Sequence, residues 1–251
     1  MAGELRIIPV RGIGEVRPGD DLAATILTAL AQQDLPLADG DVLVVTQKIV
    51  SKAEGRIVDP STVEPSHLAR MAAEQGKKDA GYYEVVLRES RRIVKMDRGV
   101  LVTETHHGLI CANAGVDESN VAGGRVVTLL PVDSDASAAT LRAALSGPAG
   151  ASIAVIISDT FGRPWREGQV NVAIGVAGLA PLADYAGLPD GYGFTMQASL
   201  IAVADELASA AELVMGKTDA VPVALIRGYA YTPATGSAAQ LIRAPDKDLF
   251  R

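Results

Sequence analysis

Two polar segments, each following an apolar run, hold the residue types in this chain best suited to chemistry. Asn113-Ala114-Gly115-Val116-Asp117-Glu118-Ser119-Asn120 follows Leu109-Ile110-Cys111-Ala112, and Ser158-Asp159-Thr160-Phe161-Gly162-Arg163 follows Ile153-Ala154-Val155-Ile156-Ile157. If the apolar runs are buried strands, each delivers a carboxylate to a strand end, beside small residues that let a ligand approach the backbone. Mg²⁺ takes one or two carboxylates and leaves its other positions to water and phosphate oxygens, so Asp117 and Asp159 could serve together without a full protein cage. The same segments also read as ordinary turns, because Asp and Asn close turns and cap helices often.

Further polar groups lie near these two. Lys48 and Lys52 follow an apolar run, either within reach of phosphate or in a solvated loop. Arg163 and Arg166 flank Pro164-Trp165 just after Asp159, which puts cationic groups near a metal site. Trp165 reads equally well as a core anchor. His106 and His107 are neighbours, and on a strand they would point to opposite faces, so they are read as turn residues. Met215-Gly216-Lys217-Thr218-Asp219 ends an apolar stretch, where Gly216 is either a left-handed helix cap or a point of backbone approach to a base or ribose.

Several phosphate and hydrolase signatures are missing. The chain has no Gly-x-x-x-x-Gly-Lys-Ser/Thr loop, and Gly12-Ile13-Gly14-Glu15-Val16-Arg17 breaks the dinucleotide pattern at its last glycine. Neither a Gly-x-Ser-x-Gly elbow nor a His-Glu-x-x-His helix occurs. Nucleotide chemistry would therefore use another fold.

The elements that must position these groups follow from patterning. The chain has 251 residues, 48% of them hydrophobic but only 4% aromatic, so Ala, Val, Leu and Ile fill the interior of a mixed helix and sheet protein. Net charge is −7, which gives no general attraction to nucleic acid or anionic membrane. Cys111 is the only cysteine, so neither an intramolecular disulfide nor a Cys-rich zinc site is available. Without a secretory signal or a membrane-length apolar run, a soluble cytoplasmic protein is expected.

Strands are expected over residues 5–10, 41–46, 92–95, 100–105, 108–112, 125–129, 153–158 and 223–227. The strands at 100–105 and 108–112 should form a hairpin through His106-His107-Gly108. Helices are expected over 21–33 with Asp20 or Asp21 as cap, 66–75 ended by Gly76, 82–90, 134–145 capped by Ser134 or Asp135, and 197–215. Gly147-Pro148-Ala149-Gly150 reads as a breaker, and 162–193 as a glycine-rich region. Consecutive strands in the middle, with helices alternating toward the ends, predict α+β with mixed, largely antiparallel sheets rather than a doubly wound one.

Taken together, these phrases resemble the F420-0:γ-glutamyl ligase family over nearly the whole chain. The resemblance rests on Val44-Val45 with Ile49-Val50-Ser51-Lys52-Ala53-Glu54-Gly55-Arg56, on Asn113-Ala114-Gly115-Val116-Asp117 with Ser119-Asn120-Val121, and on Asp159-Thr160 with Gly162-Arg163. Ala173-Ile174-Gly175 and Val203-Ala204-Asp205-Glu206 with Met215-Gly216 complete it. The resemblance implies a GTP-dependent amide ligase that adds L-glutamate to F420-0 and extends a γ-linked tail; since a carboxylate oxygen is a poor leaving group, an acyl phosphate is the expected intermediate. It further implies Mg²⁺ or Mn²⁺ at two sites, help from K⁺, a two-lobed fold and a homodimer. Asp117, Asp159 and Thr160 match metal positions, and in the expected phosphoryl transfer Lys52 would be the catalytic residue, offsetting developing charge. Ile13, Gly14, Glu15, Val16, Gln47, Lys48, Lys52 and Asn120 match GTP-site positions, as does the segment Met215, Gly216, Lys217, Thr218, Asp219, Ala220 and Val221. This chain departs from archaeal members, which carry a metal-binding Glu after Met-Gly where Lys217 stands here, in a loop one residue shorter. The nitroreductase-like domain that often follows in bacterial members is not expected, since the sequence stops at Arg251. Different-class readings of the same residues are a metal-dependent phosphohydrolase and a non-catalytic nucleotide-binding protein.

Overall fold

The computed structural model describes residues 3–118, 126–197 and 199–248. Its central element is a five-stranded sheet of β1 (Arg6–Val10), β2 (Val42–Thr46), β8 (Ala154–Arg163), β9 (Arg166–Ala177) and β12 (Val223–Arg227), in the order β1-β12-β2-β8-β9. Only β2 and β8 run parallel, and every other neighbouring pair is antiparallel. The sheet is apolar on both faces because helices cover both. Leu43, Val45, Val155 and Ile157 pack on one side against α1 (Leu22–Gln32) and α5 (Ser134–Ala149). Val42, Val44, Ala154 and Ile156 pack on the other against α6 (Val203–Met215). Alternation along β2 and β8 thus feeds two cores, which is why both read as continuous apolar runs.

A third core surrounds a smaller antiparallel sheet of β4 (Ser90–Asp97), β5 (Val100–Thr105) and β6 (Ile110–Ala112), where α3 (His67–Gln75) and α4 (Ala80–Arg88) contribute Ala69, Ala72, Tyr82 and Val86. Two further pairs complete the sheets, β3 (Ile57–Val58) with β7 (Val127–Thr128) and β10 (Ala183–Asp184) with β11 (Leu200–Ile201). The architecture is α+β with largely antiparallel sheets, as the patterning predicted. Among the described residues, no helix is long and apolar enough to cross a membrane.

Several elements differ from the sequence expectation. Lys48 and Lys52 lie on a helix, α2 (Gln47–Ala53), which starts directly at the end of β2. Helix α4 starts two residues early because Asp79 accepts from the Tyr82 N–H. Helix α5 is capped by Asp133, which accepts from Ala136 N, while Asp135 is spent on Val176 N, Ala238 N and Ser237 Oγ. It continues through Pro148 and ends only at Gly150, whose φ is 64°. The glycine-rich region contains the twelve-residue β9, and α6 is shorter than expected because β11 takes residues 200 and 201. Of the strand expected over 125–129, Val127–Thr128 forms β7 and residue 125 lies outside the described residues.

Helix α6 docks on β9 through a polar stripe spaced at helical intervals. Asp205 accepts from Ala173 N at 2.8 Å, Ser209 Oγ donates to Asn171 O at 2.7 Å, and Glu212 accepts from Asn171 Nδ2 at 2.7 Å. The start of α5 crosses the same strand at Gly175. A Cβ there would stand 2.2 Å from Ser134 O, a backbone atom that cannot move aside. Gly175→Ala is therefore expected to destabilise the fold by about 1–3 kcal/mol. A melting temperature within a degree of wild type would show that β9 and α5 can separate there.

Candidate functional site

The cleft forms at the C-terminal ends of the parallel pair β2 and β8, where a side of an open sheet is free to receive a ligand. Its volume is about 630 Å³, within the usual range for small-molecule sites. Six chain segments converge on it: residues 13–16, the β2–α2 junction, the stretch around Asp117, the distal half of β8, the facing part of β9, and the end of α6 with the loop after it. Thr46 and Ser158 are register partners on β2 and β8 and form its floor.

Asp117 reaches the cleft through an unusual backbone. Asn113, Ala114 and Gly115 all have φ between 50° and 70°, and the Asn113 side chain is used to accept from Leu101 N. Asp117 then forms a two-bond bridge with Thr128, Asp117 N to Thr128 O at 3.0 Å and Thr128 N to Asp117 O at 2.8 Å. Its backbone is held at both ends, and its carboxylate meets Lys48 Nζ at 2.8 Å. The helix α2 explains the lysine: Lys48 and Lys52 are four residues apart and share the face turned to the cleft. Lys52 is buried and its ammonium lies 2.6 Å from Glu15 Oε1 in the loop after β1.

Asp159 and Thr160 are within a strand and not in a turn, because β9 pairs with β8 as far as Arg163. Burial pushes the Asp159 carboxyl up to about 6, and neighbouring Asp117 adds to the effect. The Thr160 N–H, Lys48 and Lys217 oppose it. Such a group is short of cation. Beside it, Ser158 Oγ and Gln47 Nε2 are buried in the cleft with no partner among the described residues, which marks polar positions left for a ligand. The Cys111 thiol is pushed up to about 12, mainly by burial and also by Asp159, so it is a packed group rather than a nucleophile.

The structure brings together Ile13, Gly14, Glu15, Val16, Gln47, Lys48, Lys52, Asp117, Asp159, Thr160, Gly216, Lys217, Thr218, Ala220 and Val221, all singled out from sequence. Met215 instead belongs to the core under α6, and Asp219 does not line the cleft but turns toward Gly216. Asn120 lies outside the described residues. Trp165 is no core anchor: it sits at 81% exposure in the β8–β9 turn, and Arg163 there donates to Glu167 O and Gly168 O. His106 and His107 are turn residues held by backbone carbonyls of Arg88, Pro131 and Val132. Gln169, Asn171 and Glu212 also line the cleft and carried no motif in the sequence.

Among the described residues, no group of three or more His, Cys, Asp or Glu closes around a metal. Two carboxylates and a threonine hydroxyl lining one cleft are the open oxygen set that suits Mg²⁺ or Mn²⁺ carried with phosphate, rather than a caged ion.

A family model described as F420-0:Gamma-glutamyl ligase matches residues 12–228. The coenzyme F420:L-glutamate ligase of Methanothermobacter thermautotrophicus is 46% identical, over 98% of this chain and 99% of the relative. That of Methanopyrus kandleri is 44% identical over 98% of each chain, and that of Methanocaldococcus jannaschii 41% over 86% of each.

Proposed function

The chain belongs to the F420-0:gamma-glutamyl ligase family, and from that membership we propose that it joins L-glutamate to F420-0 at the expense of GTP. The observation that carries the proposal is the convergence on one cleft of three lysines, two aspartates, and Ser158 and Gln47 atoms that have no partner among the described residues. A carboxylate oxygen is a poor leaving group, so amide formation needs prior activation. The terminal carboxylate of F420-0 attacks the γ-phosphorus of GTP, and the bond from that phosphorus to the β–γ bridging oxygen breaks to release GDP. The α-amine of glutamate then attacks the acyl carbon. Phosphate leaves with the C–O bond pair, and the amine loses its proton. Lys52 offsets the charge that gathers on the transferred phosphoryl oxygens, and residues 13–16 with the loop after α6 hold the nucleotide. Asp117, Asp159 and Thr160 would hold Mg²⁺ or Mn²⁺, which supplies Lewis-acid polarisation of the phosphates. The same reading has the protein acting in the cytoplasm as a homodimer, aided by K⁺, and adding further glutamates through γ-linkages.

The test is incubation of the pure protein with GTP, Mn²⁺, L-glutamate and F420-0, with products read by mass. Added glutamate mass together with GDP is the expected result. GDP without added mass would make the protein a phosphohydrolase, and neither product a nucleotide-binding protein.

The Asp159 proton competes with a cation for the same oxygens. Mn²⁺ affinity is therefore expected to be level above pH 6 and to fall about tenfold per pH unit below it. Titration by electron paramagnetic resonance between pH 5 and 8 measures this, and a flat profile would remove Asp159 from the metal set.

A further inference from the structure

Four polar side chains on one wall of the cleft close into a ring. Thr160 and Asn171 are register partners on β8 and β9, and Thr160 Oγ1 donates to Asn171 Oδ1 at 2.7 Å. Asn171 Nδ2 donates to Glu212 Oε2 on α6 at 2.7 Å. Glu212 Oε1 lies 3.1 Å from Lys217 Nζ, and Lys217 Nζ donates to Thr160 Oγ1. Each link in this ring pairs a donor with an acceptor, and both hydrogen-bond paths run from the ammonium to the carboxylate. Such chains polarise one another and fix the position of their members. Asn171 is almost fully buried, so it can turn neither its oxygen nor its nitrogen to water.

The ammonium therefore occupies a position defined by oxygens. Its Thr160 contact is a hydroxyl, its Glu212 contact a carboxylate, and Asp159 is near enough for Lys217 to lower its pKa. A hydroxyl, one or two carboxylates and open solvent are also what a hard divalent cation requires. The backbone turn at Gly216, φ 61°, follows the end of α6 and directs the next residue back over the wall.

We propose that the Lys217 ammonium is a built-in second cation of this site, filling a seat formed by Thr160 and Glu212 and braced by Asn171, so that the protein takes one divalent metal per chain rather than two. The inference rests on the proposed metal reading of Asp117 and Asp159. Glu212 and Asn171 are then positioning residues, acting on the site through Lys217 and Thr160. A tethered charge needs no recruitment from solution, and it holds Thr160 Oγ1 in one orientation.

The test counts bound Mn²⁺ in the whole nucleotide-free protein by electron paramagnetic resonance of the free ion. Wild type is expected to bind one ion per chain and Lys217→Ala two, while Lys217→Arg, which keeps a cation, stays at one. Glu212→Gln added to Lys217→Ala is expected to return the count to one, which assigns the new ion to this seat. Two ions on wild type, or one on Lys217→Ala, would overturn the inference. Asp159→Asn separates the two levels: loss of the first ion in that variant upholds the metal reading even where the Lys217 result fails, whereas an unchanged count removes both. Lys217 is 59% exposed, so its replacement leaves the core intact and the count readable.

Discussion

Asp159→Asn is expected to lower ligation by about a hundredfold or more and, at the same time, to raise the melting temperature of the ligand-free protein at pH 8. The two effects share one cause. The Asp159 carboxyl has an ordinary value of 3.8 and a folded value of about 6, raised first by burial and then by Asp117. Between about pH 4 and pH 6 the folded state therefore holds a proton that the unfolded chain has already released. By linkage, stability falls as pH rises through that window and stays lower above it. Asparagine never ionises, so the variant escapes the loss. Its advantage should be absent near pH 4, grow to about pH 6 and then remain level. A bound cation reverses the balance, since it stabilises the ionised carboxylate. Mn²⁺ should therefore raise the melting temperature of wild type and do so much less for the variant. Melting curves at pH 4, 6 and 8, with and without Mn²⁺, read all of this. An Asp159→Asn protein that melts below wild type at pH 8 would show that the carboxylate holds the fold together instead of waiting for a ligand.

Much of this site was legible because its residues sit next to strong signals. The apolar run Ile153-Ala154-Val155-Ile156-Ile157 places Asp159 and Thr160 beside a buried strand, and Asn113-Ala114-Gly115 before Asp117 announces a change of backbone direction. The form of the wall was less legible. Asp159-Thr160-Phe161-Gly162 has the composition of a turn, and only pairing with β9 keeps it extended. That partner was itself hidden, because Gly168 and Gly175 gave its region the look of a loop, although Gly175 is there to let α5 approach. Helix α2 has seven residues, two turns, too few to build a periodic signature, so Lys48 and Lys52 read as loop groups. Asn171 and Glu212 lacked any local signal. One belongs to a strand and the other to a helix 41 residues later, and they meet only because Asp205 and Ser209 dock α6 onto β9.

Lys52→Met should reduce turnover by about 10²–10³-fold while leaving the fold nearly as stable as before. The asymmetry of its ion pair makes the second half of the expectation. Lys52 has 8% of its side chain exposed and Glu15 60%, so removing the charge leaves the Glu15 carboxylate open to water. Glu15 rehydrates, and Met fills the space of the lysine stem. The stability change should stay within about 1 kcal/mol, as for an exposed pair, and not reach the roughly 3–5 kcal/mol of a broken buried one. The first half follows from placement. Rigid attachment to α2, one helical turn from Lys48, sets the ammonium in the lining of the cleft that Asp159 also lines, without further cost at the moment of reaction. Steady-state kinetics in GTP distinguish what the charge does. If it stabilises the phosphoryl group only in transit, kcat falls and KM for GTP is little changed; if it merely binds phosphate, KM rises and kcat holds. The second pattern would make Lys52 a nucleotide clamp and leave charge development in the transfer step to the metal and Lys48.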